Sequence, residues 1–353
     1  MNDLQFLVNF AQLFGTSRHC DPHLDFFYNM KAGLQCNAAH NQGRVVNGSA
    51  LVEQLGVWKV MLACQMPSDF TLASVAVNTF EFHNSEVGFR LPFKLCLQSA
   101  RKHSIVACVK CLDKIPWNQV QQWMVYHRYL GIDHFFLFDR PGYFYNQSRP
   151  YVESGMMTYV PFPFVQPEFT VPYIYDQTHS LHYCLMLAQA TSKWIIHFDP
   201  DEYLVPSVVV RPICHFSEFC AVSTLVQLLG PYNASCEVAV RTRIMITNSS
   251  FPHSDVVPDA FQLMTLKDHE HKYFARSQRT RSMWIHQIES YIPPCQISTL
   301  PPESMLIFHY AHSVRYRSSH FIASGAAAVL DTRARDIYYN AVANFNSSNL
   351  MLL

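Results

Sequence analysis

The rhythm of apolar and polar positions changes near Arg101. Upstream, short apolar runs bounded by turn residues predict strands at 57–64, 73–77 and 88–95, and no run holds a helical period. Residues 1–100 therefore read as a β-rich accessory domain, and 101–353 as a second, larger domain. Downstream, 104–109 is an apolar strand. Pro116 suits the first position of a helix. Val120, Trp123, Met124, His127 and Leu130 then recur as one helical stripe, which Gly131 ends. Residues 134–138 form a second buried strand that closes on Asp139. Strand, helix, strand with short links is a βαβ unit with a right-handed crossover. A third strand is expected at 156–160, then a loop rich in Pro and aromatics from 161 to 172. A helix over 176–191, capped by Asp176, turns Leu181, Cys184, Leu185 and Ala188 to the core. Residues 238–247 read as strand-rich, 267–281 as a basic stretch, and 323–339 as a closing helix. The fold class is α/β, a mostly parallel sheet flanked by helices.

The chain is organised around Trp194-Ile195-Ile196-His197-Phe198-Asp199-Pro200-Asp201-Glu202. Such an apolar run is a buried strand of a parallel sheet. It ends in three carboxylates, where open α/β sheets hold their ligands. Pro200 biases Asp199 towards extended backbone, in which residues two apart point the same way. Asp199 and Asp201 can thus converge on one hard divalent cation. A solvated acidic loop is the plain alternative.

Bulk properties narrow the classes. With 353 residues, 49% hydrophobic and 14% aromatic, the chain can bury a large core. Its formal net charge of zero gives no basic face for nucleic acid. No run of about 18 apolar residues spans a membrane. The start, Met1-Asn2-Asp3-Leu4-Gln5-Phe6, lacks the basic flank and long apolar region of a signal peptide. That leaves a cytosolic protein or an incomplete N-terminus. Eleven scattered Cys and five Asn-x-Ser sequons, at Asn47, Asn146, Asn233, Asn248 and Asn346, favour a lumenal protein with a few disulfides. Cys108 and Cys111 read as core or disulfide residues, because no second pair stands at a metal-site spacing.

An acidic pair ending a central strand of an α/β sheet suits transfer from a nucleotide sugar. The leaving diphosphate gathers negative charge, which a cation bridging both phosphates stabilises. Here the chain resembles glycosyltransferase family 92. One block runs from Trp117 to Phe135 and carries Trp123, Tyr126-His127-Arg128, Gly131 and His134-Phe135. A second carries Gln177, Cys184, Trp194, Phe198, Asp199, Asp201 and Glu202, and a weaker third is His309-Tyr310. The resemblance implies a GT-A fold over 101–353, a UDP-sugar donor (UDP-galactose), a glycan acceptor and Mn2+. It also implies residence in the Golgi lumen behind a membrane anchor that this sequence does not contain. Gln122 stands where the family has Glu, Cys111-Leu112 where it tends to Asn-Glu, and Ala311 where Arg is usual. The turn at 247–251 departs as well.

Roles follow. Asp201 is the first candidate for metal contact, and Asp199 either shares the metal or holds the donor's ribose. Glu202 orients hydroxyls or closes a turn. His309 is a third metal ligand or a packed core histidine, with His286 the runner-up. Asp139 contacts the nucleotide or caps a turn. Gln177 touches the donor or lies on the surface, and Arg281 pairs with phosphate or belongs to a solvated basic face. Inversion needs a carboxylate base, for which Asp255, Asp259, Asp268 and Glu270 are open candidates. The expected function is a metal-dependent inverting transferase. The alternatives are a glycan-binding scaffold on a decayed transferase fold and a cytosolic two-carboxylate hydrolase.

Overall fold

The computed structural model describes residues 3–9, 35–40, 45–54, 59–65, 77–84, 89–93, 103–111, 115–139, 142–161, 172–189, 191–210, 223–246, 256–310 and 328–347. The chain separates into two compact units, Met1–Ser99 and Ala100–Leu353.

The first unit is described at the level of backbone pairing. Its strands are β1 (Asp3–Asn9), β2 (Gln35–His40), β3 (Val45–Gln54), β4 (Lys59–Gln65), β5 (Val77–Asn84) and β6 (Phe89–Phe93). They form one antiparallel sheet in the order β1-β4-β3-β2-β5-β6. The expected strands at 57–64 and 88–95 fall on β4 and β6. The one expected at 73–77 meets β5 only at Val77, and 73–76 lie outside the described residues. Strands β1 to β3 escaped notice because sequences such as Gln-Cys-Asn-Ala-Ala-His in β2 carry no apolar alternation.

The second unit is a ten-stranded mixed sheet. Strands β7 (His103–Cys111), β8 (His134–Asp139), β9 (Met157–Pro161) and β10 (Ser192–His197) make its parallel half, ordered β10-β7-β8-β9. Beyond β10, antiparallel pairing begins. The long β13 (Leu263–Arg276) lies against β10 on one side and β12 (Ser235–Ile246) on the other. Next come β17 (Met305–His309) and β11 (Glu202–Pro206), with β16 (Gln296–Thr299) on β12 and β18 (Ala328–Leu330) on β13. A separate hairpin joins β14 (Thr280–Met283) to β15 (Ile288–Tyr291). The expectation of an α/β fold with flanking helices holds.

Helices cover both faces. On one, α1 (Trp117–Leu130) and α6 (Arg333–Ser347) pack on each other and share one large core with Trp194 and Ile196 of β10. On the other, α3 (Pro172–Gln189) packs Leu181, Cys184, Leu185 and Ala188 against Ile195 and Val106. Side chains of a strand alternate between faces, so β10 feeds both cores. Shorter helices are α2 (Tyr145–Glu153), α4 (Thr224–Leu229) and α5 (Val257–Ala260).

Several boundaries differ from the reading of the sequence. Pro116 is the N-cap of α1, with ψ 139°, and the helix begins at Trp117. The α3 helix starts at Pro172, so Asp176 lies inside it rather than at its start; a proline pre-set for a first helical turn moved the start upstream. The closing helix is Arg333–Ser347 rather than 323–339, because 328–330 pair with β13 as a strand. Helix α2 was missed, its pattern broken by Pro150. Gly131 does end α1, at φ 112°, and a Cβ there would stand 2.1 Å from Ser223 Oγ. Among the described residues two disulfides form, Cys108–Cys184 joining β7 to α3 and Cys236–Cys295 joining β12 to the segment before β16.

Candidate functional site at the carboxyl end of the central strands

Strand β10 delivers the acidic stretch to the carboxyl-terminal end of the parallel strands. There the chain reverses. Glu202 N–H donates to Asp199 O at 2.9 Å, and Asp199 N–H donates back to Glu202 Oε2 at 2.9 Å. The two bonds close a tight turn around Pro200, and β11 leaves from it. Glu202 is therefore the turn-closing residue, 3% exposed.

What holds this turn is α1. Trp123 Nε1 donates to Glu202 O at 2.7 Å, and Tyr126 Oη donates to Leu204 O at 2.7 Å. Leu204 N–H donates to His127 Nε2 at 3.1 Å. With Nε2 accepting, His127 must carry its proton on Nδ1, which donates to Trp123 O at 2.8 Å. Burial holds this imidazole neutral, its pKa lowered to about 3. The block Trp123-x-x-Tyr126-His127 thus reads the backbone of 202–204, about 78 residues downstream. Each bond is buried, so losing one leaves an orphaned group at a cost of about 1–3 kcal/mol. Downstream in the same block, Arg128 Nη1 donates to Ile132 O and Asp133 O, and Asp133 Oδ2 accepts from Ser104 and Ile105 N–H. The two stretches that resemble one family are therefore two halves of one frame.

Three side chains meet the turn. On β17, which pairs Glu202 with His309, the His309 Nε2 stands 3.6 Å from Asp201 Oδ2. Tyr310 N–H donates to Asp201 O at 2.7 Å and fixes that approach. Burial lowers the basicity of His309, but the hydrogen bond and charge of Asp201, together with the charge of Glu202, outweigh it and its pKa rises to about 8. On β13, Lys272 Nζ lies 3.3 Å from Glu202 Oε2 and 3.7 Å from Asp199 Oδ2, with 3% of the residue exposed. Burial alone would raise the Asp199 pKa; Lys272, then His197 and His309, hold it below the usual carboxylate range. For Glu202 burial wins over Lys272, and its pKa is raised. Lys272 overcomes its own burial through Glu202 and Asp199 and stays protonated far above neutral pH. The third is His197, last residue of β10, 2% exposed, with no hydrogen-bond partner among the described residues at either ring nitrogen.

The structure thus brings Asp201 and His309 together and turns Asp199 to Lys272. Among the described residues, no three His, Cys, Asp or Glu side chains assemble as a cation site. A carboxylate facing an imidazole does offer two donors suited to a divalent metal. Those two fit; Asp199, occupied by an ammonium, does not complete them. The runner-up His286 is engaged by other groups, its Nε2 2.9 Å from Glu270 Oε2 and its Nδ1 donating to His271 O.

The other sequence candidates scatter. Asp139, 1% exposed, accepts from Gly142 N–H, Phe144 N–H and Tyr159 Oη at 2.8–3.1 Å, which is the turn-capping alternative. Gln177 lies in the second turn of α3 and is 3% exposed, not on the surface. Arg281 is exposed on β14. Asp259, on α5, meets Tyr339 Oη at 3.4 Å. Asp255 and the side chain of Asp268 lie outside the described residues.

Sequence reasoning missed Lys272 as a site residue and read it as one of a basic stretch. Its signal was slight: a lysine opening the apolar run Tyr273-Phe274-Ala275. It placed Trp123 and His127 in a helical stripe and in a block shared with the family, but gave them no contact with the acidic turn.

Comparison with known proteins agrees with this frame. The family model of glycosyltransferase family 92 matches residues 103–341, more than half of the chain. A glycosyltransferase family 92 protein of Arabidopsis thaliana is 23% identical over 106 residues, which cover 30% of this chain and 17% of that protein. The match covers all of the framing contacts and every side chain that meets the acidic turn, and the chain belongs to glycosyltransferase family 92.

Proposed function

We propose that the chain transfers a sugar from a nucleotide diphosphate donor, UDP-galactose, to a hydroxyl of a glycan acceptor, with inversion. The observation that carries the reading is the Asp199–Glu202 turn, framed by α1 at the carboxyl end of β10 with Asp201 facing His309. Asp201 and His309 would hold a divalent cation, Mn2+. Bound there, the cation supplies positive charge to the departing diphosphate. Lys272 holds the turn rigid, so the carboxylates meet donor without rearranging. In the transfer itself, the acceptor oxygen bonds to the anomeric carbon and the bond to the diphosphate oxygen breaks. The electron pair leaves on the diphosphate, and the acceptor's proton passes to a carboxylate. Of the described candidates we favour Glu270. It lies on β13 just before Lys272, beyond the end of β10, and pairs with His286. A lumenal setting in the Golgi suits this reading and the two disulfides. Among the described residues no helix is long and apolar enough to cross a membrane.

The test is UDP release from a panel of UDP-sugars, with and without Mn2+, for wild type and Asp201→Asn. Release from UDP-galactose that falls at least about 100-fold in the variant supports the proposal. No release from any donor, or unchanged release in the variant, defeats it. A second reading, a glycan-binding scaffold on a decayed transferase fold, draws on the engagement of Asp199 and Glu202 by Lys272. It predicts acceptor-glycan binding without UDP release.

A further inference from the structure

Five sequons mark the sequence, and the transferase reading uses none of them. Asn146 and Asn233 have described side chains, and both are exposed. Asn233 follows the short 3-10 turn Gly230–Tyr232, at φ −61° and ψ −24°, just before β12. Its carbonyl accepts from Arg276 Nη2 at 3.0 Å. Arg276 in turn pairs with Trp194, near the start of β10. Trp194 and Asp199 are five residues apart, about 16 Å at ~3.3 Å per residue. Asn233 therefore stands at the end of the sheet opposite the acidic turn, with its side chain exposed. Asn146 differs. It lies in the first turn of α2, next to the capped turn after β8, on the carboxyl-terminal side of the parallel strands.

We propose that Asn233 carries an N-linked glycan. The two disulfides are a second, independent sign of the oxidising lumen where such modification occurs. The inference stands whether or not the chain is an active transferase. In the step, Asn233 Nδ2 bonds to the anomeric carbon of an oligosaccharide carried on a lipid diphosphate. The bond from that carbon to the phosphate oxygen breaks, the electron pair leaves on the lipid diphosphate, and one amide proton is lost to the transferring enzyme's base.

The structure also fixes when this occurs. The sequon hydroxyl, Ser235 Oγ, is sealed in the fold: it meets Ser298 Oγ at 2.8 Å, and the residue is 3% exposed. The next residue, Cys236, is tied to Cys295. A modifying enzyme that must reach both Asn233 and Ser235 acts before β12 closes on β16. The glycan is thus added before this part of the fold closes, and the folded protein is no substrate.

The experiment expresses the full chain behind an added cleavable leader that directs it into the endoplasmic reticulum of cultured animal cells. Released glycan is read by peptide-N-glycosidase treatment in 18O-water and peptide mass spectrometry. The expected result is 18O-labelled Asp at position 233 in most molecules. Asn233→Gln should remove one glycan's worth of gel mobility and leave the melting temperature unchanged. Position 233 unlabelled in chains whose Cys236–Cys295 bond has formed overturns the proposal. Label at Asn146 without label at 233 overturns it as well.

Discussion

Replacing Lys272 by Met isolates the charge at the centre of the turn. Met keeps the length and apolar stem of the side chain and deletes the ammonium. The residue is 3% exposed, and its Nζ stands 3.3 Å from Glu202 Oε2 and 3.7 Å from Asp199 Oδ2. Its removal leaves the buried Glu202 carboxylate, and the partly exposed Asp199 beside it, without this counter-charge. Breaking a buried ion pair from one side costs about 3–5 kcal/mol, because the remaining charge stays desolvated. At about 2–4 °C per kcal/mol this lowers the melting temperature by roughly 6–20 °C. Because the folded-state pKa of Lys272 is raised, its stabilisation is fully present at neutral pH and is lost only as pH climbs through that raised value. The deficit of the variant has its own pH signature. Glu202 already protonates more readily than a free carboxylate, and without Lys272 it does so more readily still. A neutral Glu202 needs no partner, so the gap between wild type and variant narrows as pH falls. The assay is urea unfolding followed by tryptophan fluorescence; Trp117, Trp123, Trp194 and Trp284 all lie in the unit Ala100–Leu353. A partner variant closes the logic. Glu202→Gln added to Lys272→Met keeps the bond to Asp199 N–H and removes the orphaned charge, so it should recover part of the loss. A loss under about 1 kcal/mol for Lys272→Met, or no recovery in the double variant, would refute the reasoning.

Three further outcomes are expected. His127, neutral with a pKa lowered to about 3, refuses a proton that the unfolded chain accepts below about pH 6.5. Stability should therefore fall as pH drops from about 6.5 towards 3, by up to about 1.4 kcal/mol per pH unit from this residue. Imidazole NMR should show the Nδ1–H tautomer throughout that range, and a midpoint near 6 in the folded protein would contradict it. Gly131→Ala places a methyl 2.1 Å from Ser223 Oγ at φ 112°, which should cost about 2–4 kcal/mol in denaturant unfolding and be partly relieved by Ser223→Gly. Replacing Cys108 and Cys184 together by Ala should lower stability by about 2–4 kcal/mol, and peptide mapping of the untreated protein should recover the two as a linked pair.

The parallel half of the sheet was legible because its strands are buried on both faces and read as unbroken apolar runs. In β8 the six residues His134–Asp139 are all buried. The βαβ unit, the end of α1 at Gly131 and the acidic turn after β10 followed from local rules. The antiparallel half was not legible in the same way. Strand β13 opens with Leu263-Met264-Thr265-Leu266-Lys267-Asp268, mixed in polarity and kinked by irregular register against β12. Without knowing that β13 lies beside β10, nothing assigns Lys272 to Asp199. The same holds for Trp123 and His127. A helical stripe says that they are buried, but not that their polar atoms reach a turn far along the chain. Asp139 shows the converse: a carboxylate at a strand end satisfies the rule for ligand sites, and here three protein donors fill it.

The grip of α1 on the turn is addressed to peptide groups. Trp123 and Tyr126 bind carbonyls and His127 binds an amide, none of which depends on the identity of the side chains at 202–204. A substitution at Asp201, whose side chain closes no bond of the turn, can therefore alter chemistry while these contacts stay made. A lineage built on such a frame is free to change its substrate, or to abandon catalysis, without first losing the ability to fold. Thermal robustness in a relative is accordingly no measure of its turnover.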